Sequence, residues 1–504
     1  MRAGAAGIVG AEGAVAADPA RPAVDVPRQR GSTTARWHAP LAVLCGLVLV
    51  AATAEIVLDG AIGHSPLIPK SPHIAAWLRS LGGERLGYRV FLIALLSSTV
   101  AYVVLIGLAR TRTRPRAARE RTQGRWAIAL VALLSLIVFA GPILISTDVF
   151  SYIAYARMGV VHGVNPYLHG PAAIAQDPVF YYVGHDWLDV ATAYGPLYTL
   201  ISYPLAPLGL VGALWGMKVY AQLASLATLT LTWRVAARRG FDPVFALLAV
   251  GANPLYVIYG LGGAHNDLIM LALMMAAVAL TIAPPVRARI AARAEAIGTP
   301  VRTRISGRAE ADDRSSPARL AGAGAAVIAG ALVKATVAVL LPFMLADRRR
   351  ARQGRLAILA GGLAALVLGL LAGYLAFGSH GVNLIAALNR DSAFVSTDSF
   401  PNELAHLFGK PGVFPVDHDL LKAALALIVV YLLWRTWHGY DWVAASGWAL
   451  LAISVTSTWL LAWYILWPLP LAVVARDRRL LLATLFVQGL FVIHQTSPLL
   501  APVQ

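Results

Sequence analysis

The sequence predicts an all-α, polytopic membrane protein of about 11–13 transmembrane helices, with re-entrant segments and an outer-face interfacial helix. Three observations predict it. Of 504 residues, 58% are hydrophobic and only 13% charged, and the mean hydropathy is +0.67, more apolar surface than a soluble core of this length buries. Apolar runs of roughly 17 to 25 residues recur, long enough for helices rising about 1.5 Å per residue to cross a ~30 Å hydrocarbon layer. The net charge of +17 is gathered into short arginine blocks between those runs. That pattern marks topology in a lipid bilayer and does not suit a nucleic-acid partner.

Residues 1–38, rich in Ala, Arg and Pro without hydrophobic periodicity, read as a disordered cytoplasmic tail. The remainder, 39–504, reads as one transmembrane domain. Expected spans are 39–58, 89–109, 126–145, 214–233, 241–259, 266–283, 356–377, 421–437, 442–459, 460–474 and 480–499. The loop "RTRTRPRAARERTQGR" (Arg110 to Arg125) carries seven arginines against Glu120, and Pro284 to Arg319 carries eight more. Both belong on the cytoplasmic side of a plasma membrane, which puts the N-terminus inside. The single cysteine, Cys45, lies in the first apolar run and leaves no disulfide or thiolate cluster within the chain.

Two apolar segments do not fit simple spans. "LAGAGAAVIAGALVKATVAVLLPFML" (Leu320 to Leu345) is flanked by Arg319 and by Arg348, Arg349 and Arg350. A re-entrant pair of short helices with Lys334 near its tip keeps both flanks on one side. "YGPLYTLISYPLAPLGL" (Tyr194 to Leu210) holds three prolines, and parity makes it enter and leave on the outer side. For both segments the alternative is a straight, longer span that locally violates the charge rule.

Polar residues then collect on the outer side. In "STDVFSYIAYARMGVVHGVNPY" (Ser146 to Tyr167) a helix capped by Thr147 sets Asp148, Tyr152 and Tyr155 on one face, with Arg157 further on and Asn165-Pro166 as the turn that ends it. An acid at a membrane boundary is costly unless wet, paired or functional, and one lining an outer pocket can act as a general base on a hydroxyl. "GLGGAHND" (Gly260 to Asp267) brings His265, Asn266 and Asp267 to the outer edge, where they either bond sugar or phosphate or cap the next helix. Lys334 and Arg390 are candidate phosphate partners, one a point charge and the other a planar fork, with snorkelling or pairing with a carboxylate as the other reading of Lys334. The aromatic group Trp459, Trp463, Tyr464 and Trp467 suits a membrane-interface belt, a sugar platform or both. His265, Asp267, His185 and Asp186 show no metal-ligand spacing, so no metal and no cofactor is expected.

The stretches "DVFSYIAYARMGVVHGVNPY", "YGPLYTL", "GGAHNDLIMLALM", "LVKATVAVLLPF" and "WYILWPLP", in this order, resemble the GT-C superfamily of integral-membrane glycosyltransferases. Within it they are most similar to the actinobacterial polyprenyl-phosphomannose-dependent α-1,6-mannosyltransferases of lipoglycan synthesis. The resemblance implies a helical membrane fold using a polyprenyl-phosphate sugar donor on the outer face, with a glycan or lipoglycan acceptor and an acid in the first motif as base, here Asp148. It further implies that Tyr152, His265 and Asn266 position sugar hydroxyls. Tyr155, Arg157, Asn165, Tyr194, Asp267, Lys334, Arg390, Trp463 and Tyr464 complete the expected substrate-binding set. The absence of a glycine-rich nucleotide fingerprint after a strand agrees with a lipid-linked donor. The alternative from another class is a transporter or flippase for a polyprenyl-linked or sugar substrate.

Overall fold

The computed structural model describes residues 34–62, 88–110, 117–282, 316–382 and 394–500. Within them every regular element is helical and there is no strand, which establishes the all-α class. The tail to residue 33, most of the second arginine block and Arg390 lie outside the described residues.

Each of the eleven expected spans contains helical backbone, although the helix in 126–145 stops at Ala140 and 460–474 is a 3₁₀ turn followed by a six-residue helix. The chain runs α1 (Thr34–Ile62), α2 (Tyr88–Arg110), α3 (Ala117–Ala140), α4 (Asp148–Val160), α5 (Pro196–Ser202), α6 (Gly209–Arg239), α7 (Pro243–Gly251), α8 (Asp267–Thr281), α9 (Pro317–Ala331), α10 (Leu340–Ala346), α11 (Arg352–Phe377), α12 (Phe400–Leu407), α13 (Pro415–Trp437), α14 (Trp442–Thr456), α15 (Leu469–Val474) and α16 (Arg478–Thr496). Among the described residues, six helical stretches are long and apolar enough to cross a membrane. A seventh crossing is formed if α7 and the π-helical turn Leu255–Leu261, bent by 53°, count as one span. The bend falls at Asn253-Pro254, where proline cannot donate the helical hydrogen bond. α8 and α14 are shorter and apolar all round, as suits helices surrounded by protein.

Burial divides the molecule. α8 and α14 are enclosed, whereas α11 turns Leu363, Val367, Leu368 and Leu375 outward. In a bilayer that outward face meets lipid, which demands no polar side chains. α11 packs on α9 at backbone distance: a Cβ on Gly361 would lie 1.9 Å from the Ala321 carbonyl oxygen. Small residues permit such an approach where lipid offers no hydrophobic drive for helix association.

The segment from α9 to α10 turns back on itself. Ser316 and Pro317 at its start and Arg348 to Arg350 at its end line one cleft, while Lys334 between them reaches Asp267 at the far end of α8. Its tip is non-helical, with Lys334 extended at φ −148°, ψ 119°. Buried backbone of this kind needs partners. Gly195 and Leu197 supply them, their amides donating to the carbonyls of Val333 and Leu332. A Cβ on Gly195 would sit 2.0 Å from the Leu332 oxygen, so only glycine allows this junction between the two proline- or lysine-broken segments.

Helix α4 differs from its expected form in two ways. Thr147 occupies the cap position but its side chain bonds no amide; the Asp148 amide donates instead to Ser146 Oγ at 3.1 Å. The helix is also not amphipathic in its surroundings, since Phe150 and Ile153 are as buried as Tyr152 and Tyr155. The loop 171–192, with three short 3₁₀ turns, supplies part of that cover: Tyr182 packs on Phe150, and the Val190 carbonyl accepts from Tyr155.

Candidate active site

The two polar motifs meet through strained backbone. Among the described residues only two non-glycine positions have positive φ, Ile145 at 67° and Ala264 at 50°. One lies three residues before Asp148, the other directly before His265. Such conformations cost on the order of 1–3 kcal/mol each, most for a β-branched residue, and persist where the surroundings impose them. A backbone hydrogen bond of 2.9 Å from Leu144 to Gly262 ties the two turns together.

Asp148 emerges from this junction with its side chain 14% exposed. Burial lifts its carboxyl to about 6, with the Lys334 charge and the Ser146 hydroxyl opposing the rise and the Asp267 charge adding to it. His265 Nδ1 lies 3.6 Å from the carboxylate and 3.3 Å from the Tyr152 hydroxyl, which also reaches Asn266 Oδ1 at 3.5 Å. Burial first, and the Lys334 charge second, hold the imidazole well below its usual pKa. The histidine is therefore neutral at pH 7, and its contact with Asp148 is dipolar rather than an ion pair.

Asp267 is the anchored member of the pair of acids. Both its oxygens accept from Lys334 Nζ, at 2.8 and 2.9 Å, and Oδ1 accepts from Trp467 Nε1 at 2.6 Å. The same ammonium stands 4.2 Å from the Tyr464 ring centroid, and Tyr464 stacks on Trp467. Lysine carries three N–H donors, so Asp267 leaves one for another acceptor. The two acids thus differ: Asp267 is neutralised in place, while among side chains Asp148 has only neutral groups in hydrogen-bond reach.

His265 is stacked on Trp463 at 3.6 Å between ring centroids. His265 Nε2, Asn266 Nδ2 and Trp463 Nε1 are buried and have no hydrogen-bond partner among the described residues. Three such atoms together are costly in a folded protein, and each calls for an explanation. The expected aromatic belt accordingly splits into separate duties. Trp463 backs the histidine, Tyr464 and Trp467 hold the lysine, and Trp459 joins Trp187 and Phe394 at ring separations of 5.3 to 5.9 Å.

Structure thus gathers Asp148, Tyr152, His265, Asn266, Asp267, Lys334, Trp463 and Tyr464, with Tyr194 packed edge-on against Tyr152 at 4.8 Å. Three expected residues are engaged elsewhere. Tyr155 donates to the Val190 carbonyl, and Asn165 donates to the Phe377 carbonyl while accepting from the Tyr167 amide. Arg157 grips Asp177 through Nε and Nη2 at 2.8 to 2.9 Å. Burial works against that carboxylate, but Arg157 and His162 outweigh it and hold Asp177 at about 2. Arg157 therefore fastens the covering loop. Arg390 lies outside the described residues. Tyr198, which also packs on Tyr152, and Asp177 escaped sequence reasoning. Tyr198 was legible as the second tyrosine of the stretch "YGPLYTL", in the helix that Pro196 opens just after Tyr194; Asp177 carried no local signal. No three His, Cys, Asp or Glu side chains among the described residues converge as metal ligands would.

Two family descriptions match the chain: "Alpha-(1->6)-mannopyranosyltransferase, N-terminal domain" over residues 42–347 and "MptB C-terminal domain" over residues 418–498. The chain belongs to the alpha-(1->6)-mannopyranosyltransferase family. Among relatives, alpha-(1->6)-mannopyranosyltransferase A of Corynebacterium glutamicum is 31% identical over 156 residues, covering 30% of this chain and 31% of the relative. The protein of the same name from Mycobacterium tuberculosis is 27% identical over 472 residues, 86% of this chain and 80% of that one. The match to the first relative therefore spans about a third of its length, and that to the second spans most of it. No solved structure matches the chain. The N-terminal family match contains Asp148, His265, Asp267 and Lys334, so the whole polar cluster except its tryptophan and tyrosine supports lies in one family domain.

Proposed function

We propose that this protein is a mannosyltransferase that moves mannose from a polyprenyl-phosphate donor to a glycan or lipoglycan acceptor on the outer face of the membrane, with inversion and with Asp148 as base. The observation that carries the proposal is the contrast between the two acids. Asp148 is kept close to neutrality by burial, available to hold a proton, while Asp267 is locked to Lys334 and Trp467. A base whose pKa stands near the working pH accepts and releases a proton most usefully.

In the reaction the acceptor hydroxyl oxygen forms a bond to the anomeric carbon as the bond from that carbon to the phosphate oxygen breaks. The electron pair leaves on the phosphate, and the hydroxyl proton passes to Asp148. One displacement of this kind inverts a β-linked donor to an α-linked product. The third Lys334 donor is the charge available to the departing phosphate, with Arg390 a further candidate. Asn266 Nδ2 and Trp463 Nε1 are the donors left for sugar hydroxyls, and His265 Nε2 donates or accepts according to the tautomer of its ring. Because they are fixed and desolvated, they favour bound substrate without reorganising at the moment of reaction. Trp187, Phe394 and Trp459 provide a half-exposed aromatic face near Thr147, which Gly184 separates from Trp187. That face suits the acceptor glycan.

The test offers membranes containing the protein radiolabelled polyprenyl-phosphate mannose or GDP-mannose, with a short mannan acceptor and with conversion between donors blocked. Transfer from the lipid-linked donor alone is expected. Transfer from GDP-mannose alone would overturn the donor assignment, and full activity in Asp148→Asn would remove the base. Labelling of a cysteine at exposed Thr397 by an impermeant reagent, in a Cys45→Ala background, tests the outward orientation.

A further inference from the structure

The end of the molecule away from Asp148 has a built cleft of its own. α8, 15 residues long, begins at Asp267 in the candidate active site and ends at Thr281 on the cleft wall, a separation of roughly 20 Å along a helix. The cleft has a volume of about 930 Å³. Its walls come from the ends of α6, α8 and α10 and the starts of α9, α11 and α14, with Arg476 from the turn before α16.

Six arginines line it: Arg238, Arg239, Arg348, Arg349, Arg350 and Arg476. Against them stand two carboxylates, Asp347 and Asp441. An ordinary arginine block at a helix end spreads its guanidinium groups into water or toward lipid headgroups. Here Arg239 and Arg350 are turned inward, while Arg238, Arg348, Arg349 and Arg476 stand exposed at the rim. Arg239 is 90% buried and paired with Asp441 through one nitrogen, yet its Nε has no hydrogen-bond partner among the described residues. Arg350 Nε is likewise buried without a hydrogen bond, standing 3.6 Å from Asp347, with its guanidinium 5.5 Å from the Trp442 ring. Arg348 lies over Trp437 at 5.0 Å, and Arg349 is steered by the Gly439 carbonyl at 2.8 Å. The charges of Arg349 and Arg476 both bear on Arg239. Six like charges set against two carboxylates repel one another, and an entering anion relieves that repulsion.

We propose that this cleft is a binding site for a phosphate-bearing anion, separate from the mannosyl site. Planar guanidinium forks held at several angles match the oxygens of a phosphate monoester or diphosphate better than they match a single carboxylate. The shared chemistry is a doubly charged phosphate, carried either by a lipid headgroup arriving from the membrane or by a soluble phosphate. The proposal stands whether or not the transfer chemistry assigned to Asp148 is right.

The full-length protein, purified and placed in nanodiscs of phosphatidylcholine at physiological ionic strength, is titrated with inorganic pyrophosphate and, separately, with short-chain phosphatidic acid. Saturable binding of at least one is expected. In Arg349→Gln/Arg476→Gln it weakens ~tenfold or more, since each lost charge-assisted hydrogen bond is worth more than a factor of ten. Arg352→Gln/Arg355→Gln makes the same change of charge beside the cleft but outside its lining, and is expected to leave binding as in the parent. Pyrophosphate binding points to a soluble source and phosphatidic acid alone to a membrane source; either supports the site. Equal weakening in both double variants would show only general surface charge and overturn the proposal, as would binding of neither probe to a monodisperse parent protein.

Discussion

The two ends of α8 treat charge in opposite ways. At its start, one carboxylate is neutralised by a lysine and an indole, and a second is left among neutral hydroxyl, imidazole and amide groups. At its end, six arginines share two aspartates. The first region keeps net charge low, as the proposed proton transfer to Asp148 requires; the second accumulates charge, as the proposed anion site requires. The difference teaches that the arginine blocks of this sequence, read as topology signals, and its scattered acids, read as catalytic candidates, each have a further layer that spacing alone does not reveal.

The largest break in the comparison is Asp148→Asn. Transfer is expected to fall by about 10³-fold, within the range of general-base contributions, while the protein elutes as the parent does. Next, Lys334→Met leaves Asp267 buried and unpaired, a cost of about 3–5 kcal/mol, read as a lower melting temperature in detergent. Lys334→Met combined with Asp267→Leu is expected to recover more than half of that loss, because removing both charges also removes the desolvation penalty. If the double variant melted lower still, the pair would not be the unit that the geometry indicates.

Acidity sharpens the comparison with a smaller effect. A base must be ionised to accept a proton, and the Asp148 carboxyl is raised to about 6. Transfer is therefore expected to be pH-independent above that value and to fall about tenfold per unit well below it. A descending limb near 4 instead would mean that Asp148 is solvated during turnover. The smallest effect is expected from Asn266→Ala, which removes one unpaired donor: KM for the donor rises about 3- to 10-fold, one ordinary hydrogen bond, with kcat little changed.

Much of the site was legible because acids, a lysine and glycines stand out in apolar sequence, where each must be paired, wet or functional. Pairing of Lys334 with a carboxylate was among the readings of the sequence; which carboxylate, and with what further support, was not legible. Lys334 meets Asp267 across 67 residues and Trp467 meets it across 200, contacts set by how α8, the re-entrant tip and the segment 462–474 pack. Arg157 looked like a substrate ligand because its partner Asp177 lies in a loop without periodicity. Helix α4 looked two-faced because the sequence does not show the loop that helps to cover it. The apolar runs located helices well, since length and hydropathy are local, but not which of them lipid would touch: α8 and α11 are both apolar all round, and only the packing separates them.

The extended tip at Lys334 has one further consequence, for how such a chain tolerates change. Inserting a residue within a helix rotates everything beyond it by about 100° and would unseat the packing of α9 on α11. The tip is no freer: the amides of Leu332, Val333 and Lys334 close the last turn of α9 on Ile328, Ala329 and Gly330, and the Leu332 and Val333 carbonyls accept from Leu197 and Gly195. A one-residue insertion at 332–334 is therefore expected to unseat both sets of bonds and to carry the ammonium away from Asp267, so at the tip, as in the helices, length is fixed by the packing.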